Sequence, residues 1–462
     1  MSNLNIGKLI SRKNLVALIA IFFILSGIIA GAIFIVPGLA YEKVWLELDY
    51  EIYNIDKRIA ELRELDTPAA EAENAAAEQE RSDIWVERDK VVDEIYPQRA
   101  IGIALLVAGL GIGCFLIAIK NKSQLVIPLL ALNLLVFFNI FNDVSFFAME
   151  TAVNYVGYTV LTGNFYNIFQ KASEIVILAM GMTFVVAATK GADISVGATA
   201  AIAKAVFLRF TFSYEYTLPF MILAFLFAAF ITVIVVGGFN GTLVSAFKIP
   251  TMVATLIMFT TGRAIAYGIN GGATPTIRGH DWLDYFGRFI PGIPIHTPII
   301  TTVICIIIIF LVLKFTNLRL YIQSVAINEK SARLSGINPA AVKYIAFAIL
   351  GLCVTIAAVT STARMGLMGR ETILFGSELD AISAVAIGGN SLSGGKFKIS
   401  GSIIGAYVIY GLTETLFNLG VSSTSIQAYK AIVIIFLLVL ASPVVQEKAS
   451  QAWKVLKTKQ EA

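Results

Sequence analysis

The sequence predicts an all-α polytopic membrane bundle of about twelve segments, one of them short or re-entrant, with a helical hairpin inserted on the outer side. Three observations predict it. Of the 462 residues 57% are hydrophobic and only 14% charged, against about 45–50% and about 25% in an average soluble domain. The apolar residues come in long blocks: Asn14 to Ala40 carries no charged side chain and exceeds the ~20 residues needed to cross a hydrocarbon layer about 30 Å thick. No alternation over strands of roughly 10 residues is present, as a transmembrane barrel requires. A lipid-embedded segment must satisfy its own backbone amides, so these blocks are read as helices.

Taken in order, the candidate spans cover residues 16–38, 100–119, 124–141, 170–189, 193–212, 218–237, 250–269, 297–314, 343–362, 379–392, 399–418 and 427–444. The tenth is too short to cross alone and reads as a half-helix, tolerated where protein or a water-filled cavity surrounds it. Lys8, Arg12 and Lys13 precede the first span. The apolar run after them is longer than the roughly 7–15 residues of a cleavable signal, which favours an anchor. Lys and Arg in short loops prefer the cytoplasm. An inside N-terminus places Lys120, Lys122, Lys190, Lys248, the 314–343 loop, Lys396, Lys398 and the tail with Lys448, Lys454, Lys457 and Lys459 inside as well. Both termini are therefore expected in the cytoplasm of a bacterium, with the chain in its inner membrane. The organisation reads as a cytoplasmic N-terminus and first span (1–40), an acidic hairpin (41–99), a second span and turn (100–123), a permease-like core (124–445) and a basic tail (446–462).

Residues 41–99 carry 17 acidic and 8 basic side chains. Ile52, Ile55, Ile59, Leu62 and Leu65 recur at helical spacing, as do Ile84, Val91 and Ile95, with a turn at Asp66-Thr67-Pro68 where proline cannot continue a helix interior. A hairpin of this kind is either a docking post or a solvated spacer. Cys114, Cys305 and Cys353 lie in apolar runs, and His280 and His296 stand apart from any ligand pattern, so no disulfide framework or metal site is indicated. The run Gly388 to Lys396 fails as a phosphate-binding loop: five residues separate Gly389 from Gly395, and Phe397 follows the lysine. Gly109, Gly111 and Gly113 fall inside a span, where glycine permits close helix packing. Any ATP-driven engine must sit on another chain.

Four constellations remain. Gly181-Met182-Thr183-Phe184 is followed by Lys190 to Gly197, where Asp193 precedes a new apolar run and Ser195 and the glycines allow close backbone approach; an acid there suits a helix N-terminus. Gly238-Phe239-Asn240-Gly241 and Lys248-Ile249-Pro250-Thr251 read as a turn into the next span. Ala326 to Pro339 forms a short amphipathic segment in the most basic loop, ended by Gly336. Gly376 to Gly389 opens the short tenth helix with Ser377, Glu378 and Asp380. Negative charge there meets the helix dipole, and discontinuous helices often line substrate passages.

In this order the four constellations resemble the permeases of ribose-, xylose- and galactose-type ATP-binding-cassette importers, over roughly Leu125 to Leu440. Ala326 to Ile337 resembles the family's G-x-N-x-x-A-A-R-x-S-G-I segment, with Ala326 in place of the first glycine. Glu378 to Gly405 resembles its E-L-D-A-I-x-A-V-x-x-G-G pattern and the glycines beyond, with Phe397-Lys398 in place of a glycine-containing pair; Gly191 to Gly197 resembles G-x-D-L-S-V-G. The first two spans and the hairpin have no counterpart in that pattern.

The resemblance implies a non-enzymatic channel-forming subunit that pairs with a second permease subunit, homo- or heteromeric. It would dock two ATPase subunits inside and receive a periplasmic or lipid-anchored sugar-binding protein outside. ATP and magnesium would belong to the ATPase, with no cofactor on this chain and no nucleic-acid partner. Asn328, Glu329, Lys330, Ser331, Ala332, Arg333, Gly336 and Ile337 would form the coupling helix. Glu174, Asp193, Ser195, Glu378, Asp380 and Asn418 are the candidate pathway or gate residues, beside Asn133, Gln170, Ser173 and Glu414, because an ionisable or polar group within a span is costly unless it has a role. The expected function is monosaccharide import by alternating access. A nucleoside importer of the same superfamily, an ion-coupled carrier and a scaffold built around the hairpin are the alternatives.

Overall fold

A computed structural model describes residues 12–65, 67–121, 123, 125–154, 157–213, 218–271, 285–365, 374, 376–392 and 394–441. Lys8, Lys122, His280 and the 446–462 tail lie outside the described residues. The chain divides into two units. One comprises Met1–Val126, Asn133–Ile168 and Phe289–His296, the other Ile127–Leu132, Phe169–Arg288 and Thr297–Ala462.

The first unit is built on two long helices, α1 (Arg12–Leu65) and α2 (Pro68–Lys120), of 54 and 53 residues. At 1.5 Å per residue each is about 80 Å long, and neither is interrupted at the boundaries of the apolar runs. Thr67 starts α2 by accepting a 3.2 Å bond from the Ala70 amide, and Pro68 occupies the first helical position, where its missing N–H costs nothing. In the apolar half the helices touch backbone to backbone: a Cβ added to Gly109 would lie 2.6 Å from Gly27 Cα. Leu18, Phe22, Leu25, Ile29 and Ile33 make an exposed stripe along α1, as a lipid-facing surface requires. In the charged half, Ile52, Ile55, Ile59 and Leu62 are buried, with Ala70, Ala77 and Ile95 from α2. This is the expected periodic face.

The unit also holds a feature the all-helical reading did not anticipate. Glu150–Val153 (β1) pairs antiparallel with Thr159–Thr162 (β2), Glu150 opposite Thr162 and Val153 opposite Thr159. Charge and an indole fasten β1 to the long helices. Arg88 Nε donates to Asp49 Oδ1 at 2.5 Å, with Glu150 at 3.7 Å from the same guanidinium. Trp45 Nε1 donates to the Thr151 carbonyl at 2.8 Å, beneath the Arg99 guanidinium 4.8 Å from the ring.

The second unit is a helical bundle. Its elements are α4 (Asn164–Thr189, shared at its first residues with the other unit), α5 (Val196–Ser213), α6 (Leu218–Thr232), α7 (Thr251–Ile269), α8 (Thr297–Phe315), α9 (Leu318–Ile327), α10 (Glu329–Leu334), α11 (Pro339–Met365), α12 (Ser377–Ile387), α13 (Ile399–Asn418) and α14 (Ser423–Ala441); α3 is Val126–Asn142. After Thr232 the α6 helix runs on as a π-helical stretch, Val233–Asn240, and a last turn, Gly241–Ser245. The apolar window of α4 is 94% buried, whereas that of α8 is 17% buried, so α4 is the core strut and α8 presents Ile304, Ile307, Ile308 and Leu311 outward. Among the described residues seven helices are long and apolar enough to cross a membrane. The remaining expected segments are α3, α5, α12, α13 and α14, which are shorter or less apolar. At 11 residues α12 is the half-helix anticipated.

Candidate functional site: buried charge pairs and an exposed short helix

The second unit concentrates its chemistry in three places. The first is a set of ion pairs between helices. Arg364 Nε, at the end of α11, donates to Glu174 Oε1 of α4 at 2.8 Å. One turn from Glu174, Lys171 donates to Glu414 Oε1 of α13 at 2.8 Å, and Lys430 of α14 donates to Asp380 Oδ2 of α12 at 2.8 Å. The carboxylates of Glu174 and Glu414 are 3% and 5% exposed. An isolated charge in so apolar a place is costly, and a partner within hydrogen-bond reach removes most of that cost. Glu378 lies against Gly197 of α5: a Cβ there would meet Glu378 Oε2 at 2.3 Å and Arg263 Nη2 at 3.2 Å.

The second is the turn before α5. Asp193 Oδ1 accepts from the Ser195 amide at 2.7 Å and the Ser195 hydroxyl at 2.6 Å. Asn240 Nδ2 donates to Ser195 Oγ at 3.1 Å and Asp193 Oδ2 at 3.4 Å. All three side chains are fully buried. Asp193 therefore shapes the turn, and the Ser195 carbonyl takes the first helical bond, from the Thr199 amide at 2.8 Å. Ser377 likewise does not cap α12. Its hydroxyl donates back to the Leu374 carbonyl at 2.6 Å, and the capping position belongs to Gly376.

The α12–α13 corner explains the glycine pattern. A Cβ at Gly401 would lie 2.0 Å from the Gly388 carbonyl, and one at Gly405 2.1 Å from that of Ala384. Only glycine lets these backbones approach. Asn390 closes the loop between them, accepting from the Lys398 amide at 2.7 Å and donating to the Lys398 carbonyl and Ser402 Oγ at 2.9 Å each. Ser402 in turn shares a 2.7 Å bond with Thr183 of α4. Partial burial, then the neighbouring Lys396 and Arg319, lowers the Lys398 ammonium from its ordinary range, marking this face as strongly basic.

The third is α10 and its flanks. Asn328 caps the helix, its Oδ1 accepting from the amides of Lys330 at 3.0 Å and Ser331 at 3.2 Å. Gly336 takes a left-handed φ of +81°, which lets the Ile337 amide return to the Ala332 carbonyl at 3.0 Å. Glu329 pairs with Lys343 of α11. Ala332 is 4% exposed and anchors the helix, while Ile327 and Leu334 are 74% and 90% exposed. Lys330, Ser331 and Arg333 stand outward between those two apolar knobs.

Of the residues singled out in the sequence, Glu174 and Asp380 are brought into interhelical pairs, and Asp193 and Ser195 into a closed turn. Asn418 is half-buried at the last position of α13. Ser173 bonds its own helix at Phe169, and Gln170 is half-buried. Asn133 donates to the Gly111 carbonyl within the first unit. Sequence reasoning missed the cations Lys171, Arg263, Arg364 and Lys430, and Asn240. It also missed Lys204 of α5, 7% exposed and paired with no carboxylate among the described residues. The available signal was charge balance: each acid within a span needs a nearby base, and these bases flank apolar runs.

Membrane-length helices exposing apolar stripes, charge pairs buried between them and a capped short helix standing free between two spans define a multi-pass membrane protein of the permease class. The chain belongs to the family described as "Branched-chain amino acid transport system / permease component", which matches residues 164–442. It is 35% identical over 286 residues to the galactofuranose transporter permease protein YtfT of Escherichia coli K12, covering 61% of this chain and 80% of that one. Over 289 residues it is 33% identical to the fructose import permease protein FruF of Bifidobacterium longum NCC 2705, covering 61% and 78%. With the ribose import permease protein RbsC of E. coli K12 the identity is 35% over 276 residues, 59% and 83% of the two chains. These matches agree with the resemblance carried by the motifs. No solved structure matches this chain.

Proposed function

We propose that the chain is the transmembrane permease subunit of an ATP-driven, binding-protein-dependent importer of a monosaccharide. The observation that carries the reading is α10, a six-residue helix between two membrane helices whose exposed Ile327 and Leu334 flank an outward Arg333. Such a knob has no use within the unit and suits a groove on a partner. The relatives named as galactofuranose, fructose and ribose permeases support a sugar as cargo.

On this reading two ATPase subunits, which carry the ATP and magnesium, grip Asn328 to Ile337 from the cytoplasm. A second permease subunit completes the passage, and a sugar-binding protein delivers cargo from outside. The chain sits in a bacterial inner membrane with both termini in the cytoplasm, and residues 41–99 project outward. ATP-driven closure of the motors moves α10 and, through the Glu329–Lys343 pair, the start of α11. The pairs Glu174–Arg364, Lys171–Glu414 and Asp380–Lys430 then hold or release the helices around the passage. Selection rests mainly with the binding protein.

The test is uptake of labelled pentoses, hexoses and nucleosides into proteoliposomes containing the chain, its ATPase and its binding protein. ATP-dependent sugar uptake that survives collapse of ion gradients is expected. Gradient-sensitive uptake without ATP would replace the motor by an ion, and uptake of nucleosides alone would change the cargo. Reversing both charges, Glu329→Lys with Arg333→Glu, is expected to leave insertion intact and separate ATP hydrolysis from transport; unchanged coupling would remove α10 from the docking role.

A further inference from the structure

The cleft between α12 and α14 offers polar groups that the helix packing alone does not use. It is a half-open cavity of about 160 Å³ lined by Gly376, Leu379, Asp380, Gln427, Lys430, Ala431 and Ile434. On one side stands the Asp380–Lys430 pair, with side chains 13% and 14% exposed. On the other are apolar side chains, Leu379 among them at 65% exposed. An ammonium has three N–H donors and a carboxylate about four acceptor sites; their 2.8 Å bond uses one of each. The Gln427 amide adds donors and an acceptor beside Gly376, where a Cβ would come 3.4 Å from its Nε2 and narrow the opening.

We propose that this cleft is a contact station for a monosaccharide in transit, with Asp380, Lys430 and Gln427 bonding its hydroxyls and Leu379, Ala431 and Ile434 meeting its C–H face. The inference rests on the sugar-permease reading and assigns it residues. Vicinal hydroxyls donate and accept side by side, which suits adjacent acceptor, cation and amide. The ion pair is neutral as a whole, so the cleft has no net charge to hold an ion. A purely lipid-facing groove would not retain two ionised groups, because ionisable side chains at membrane depth mark pathways or interior faces. The volume is below the roughly 300–1,000 Å³ of a dedicated ligand pocket. A station of that size touches one face of the sugar and lets it leave, as passage requires.

The experiment uses proteoliposomes of the full complex and labelled D-ribose, D-fructose and D-galactose. Gln427→Leu leaves the ion pair untouched and is expected to lower the turnover of uptake about tenfold, with unchanged thermal stability and unchanged stimulation of ATP hydrolysis by the binding protein. The exchange Asp380→Lys with Lys430→Asp keeps a pair but inverts the donors and acceptors, and is expected not to recover uptake. Alkylation of Ala431→Cys by a membrane-impermeant maleimide, read above the wild-type cysteine background, should slow in millimolar transported sugar. Wild-type uptake in Gln427→Leu, full recovery in the exchange variant or sugar-independent alkylation would each overturn the station while the importer reading stands. A wild-type complex that carries none of the three sugars but carries nucleosides would overturn both.

Discussion

Both units of this molecule are held by salt bridges, of opposite kinds. Along the charged half of the α1–α2 hairpin, Arg58–Glu80, Arg63–Glu78 and Arg81–Asp56 close at 2.7–3.1 Å with side chains 42–63% exposed. In the family-matched unit, Glu174–Arg364, Lys171–Glu414 and Asp380–Lys430 close at 2.8 Å with side chains 3–32% exposed. The distances are alike and the energetics are not. An exposed pair gains little over its hydration and is screened by salt, whereas a buried pair is expensive to form and more expensive to leave half-made. Bond length alone therefore says nothing of what a pair contributes.

The largest effect is expected from Arg364→Met, which leaves Glu174 buried without its cation. A loss of about 3–5 kcal/mol follows, read as a marked drop in thermal stability in detergent. Adding Glu174→Gln should recover much of it; a single variant as stable as wild type would break the comparison.

Next comes Arg88→Ala in the first unit, where the side chain is 10% exposed and bonds Asp49 and faces Glu150. Losing a charge-assisted bond there should cost about 1.5–3 kcal/mol. Faster hydrogen exchange at β1 would show it, with α12 and α13 unchanged. That would place this pair with the buried class although it belongs to the hairpin unit.

A smaller effect comes from His296. Its backbone amide donates to Tyr166 Oη at 2.9 Å, and that hydroxyl lies 3.1 Å from Nδ1. Burial lowers the imidazole below its ordinary range. A base with a lowered folded pKa binds fewer protons folded than unfolded. Its contribution is therefore present above the ordinary value of about 6.5 and lost as pH falls through it toward the folded value. Thermal stability should decline on this account between neutral and mildly acid pH, and His296→Gln should flatten that component. The smallest effect is Arg63→Ala on the hairpin, expected within about 0.2–1 kcal/mol and shrinking further with salt. A salt-insensitive loss would show that the hairpin pairs behave as a buried network.

The helices were legible because periodicity and apolar run length are local properties. Ile52, Ile55, Ile59 and Leu62 are buried as their spacing requires, and α12 is short as its residues predicted. The coupling segment was legible for the same reason: Asn328, Gly336 and Ile337 make their bonds within ten residues of each other. The charge pairs were not, because Glu174 meets a partner 190 residues away and Glu414 one 243 residues away. A carboxylate in a span announces that it needs a cation without saying which. The β1–β2 hairpin was missed since four-residue strands lie below the length at which alternation is readable.

The π-helical stretch Val233–Asn240 has a consequence for how this helix can vary. A π stretch accommodates a residue more than ordinary winding would, and such wide turns recur where a helix must re-aim a side chain. Removing one residue there would restore the α winding and swing Asn240 through about 100°, away from Asp193 and Ser195. The number of residues before Asn240, more than their identity, aims its amide. Substitution among these residues is then a change of spelling, whereas a single deletion is a change of phase, felt 47 positions earlier in the chain at Asp193.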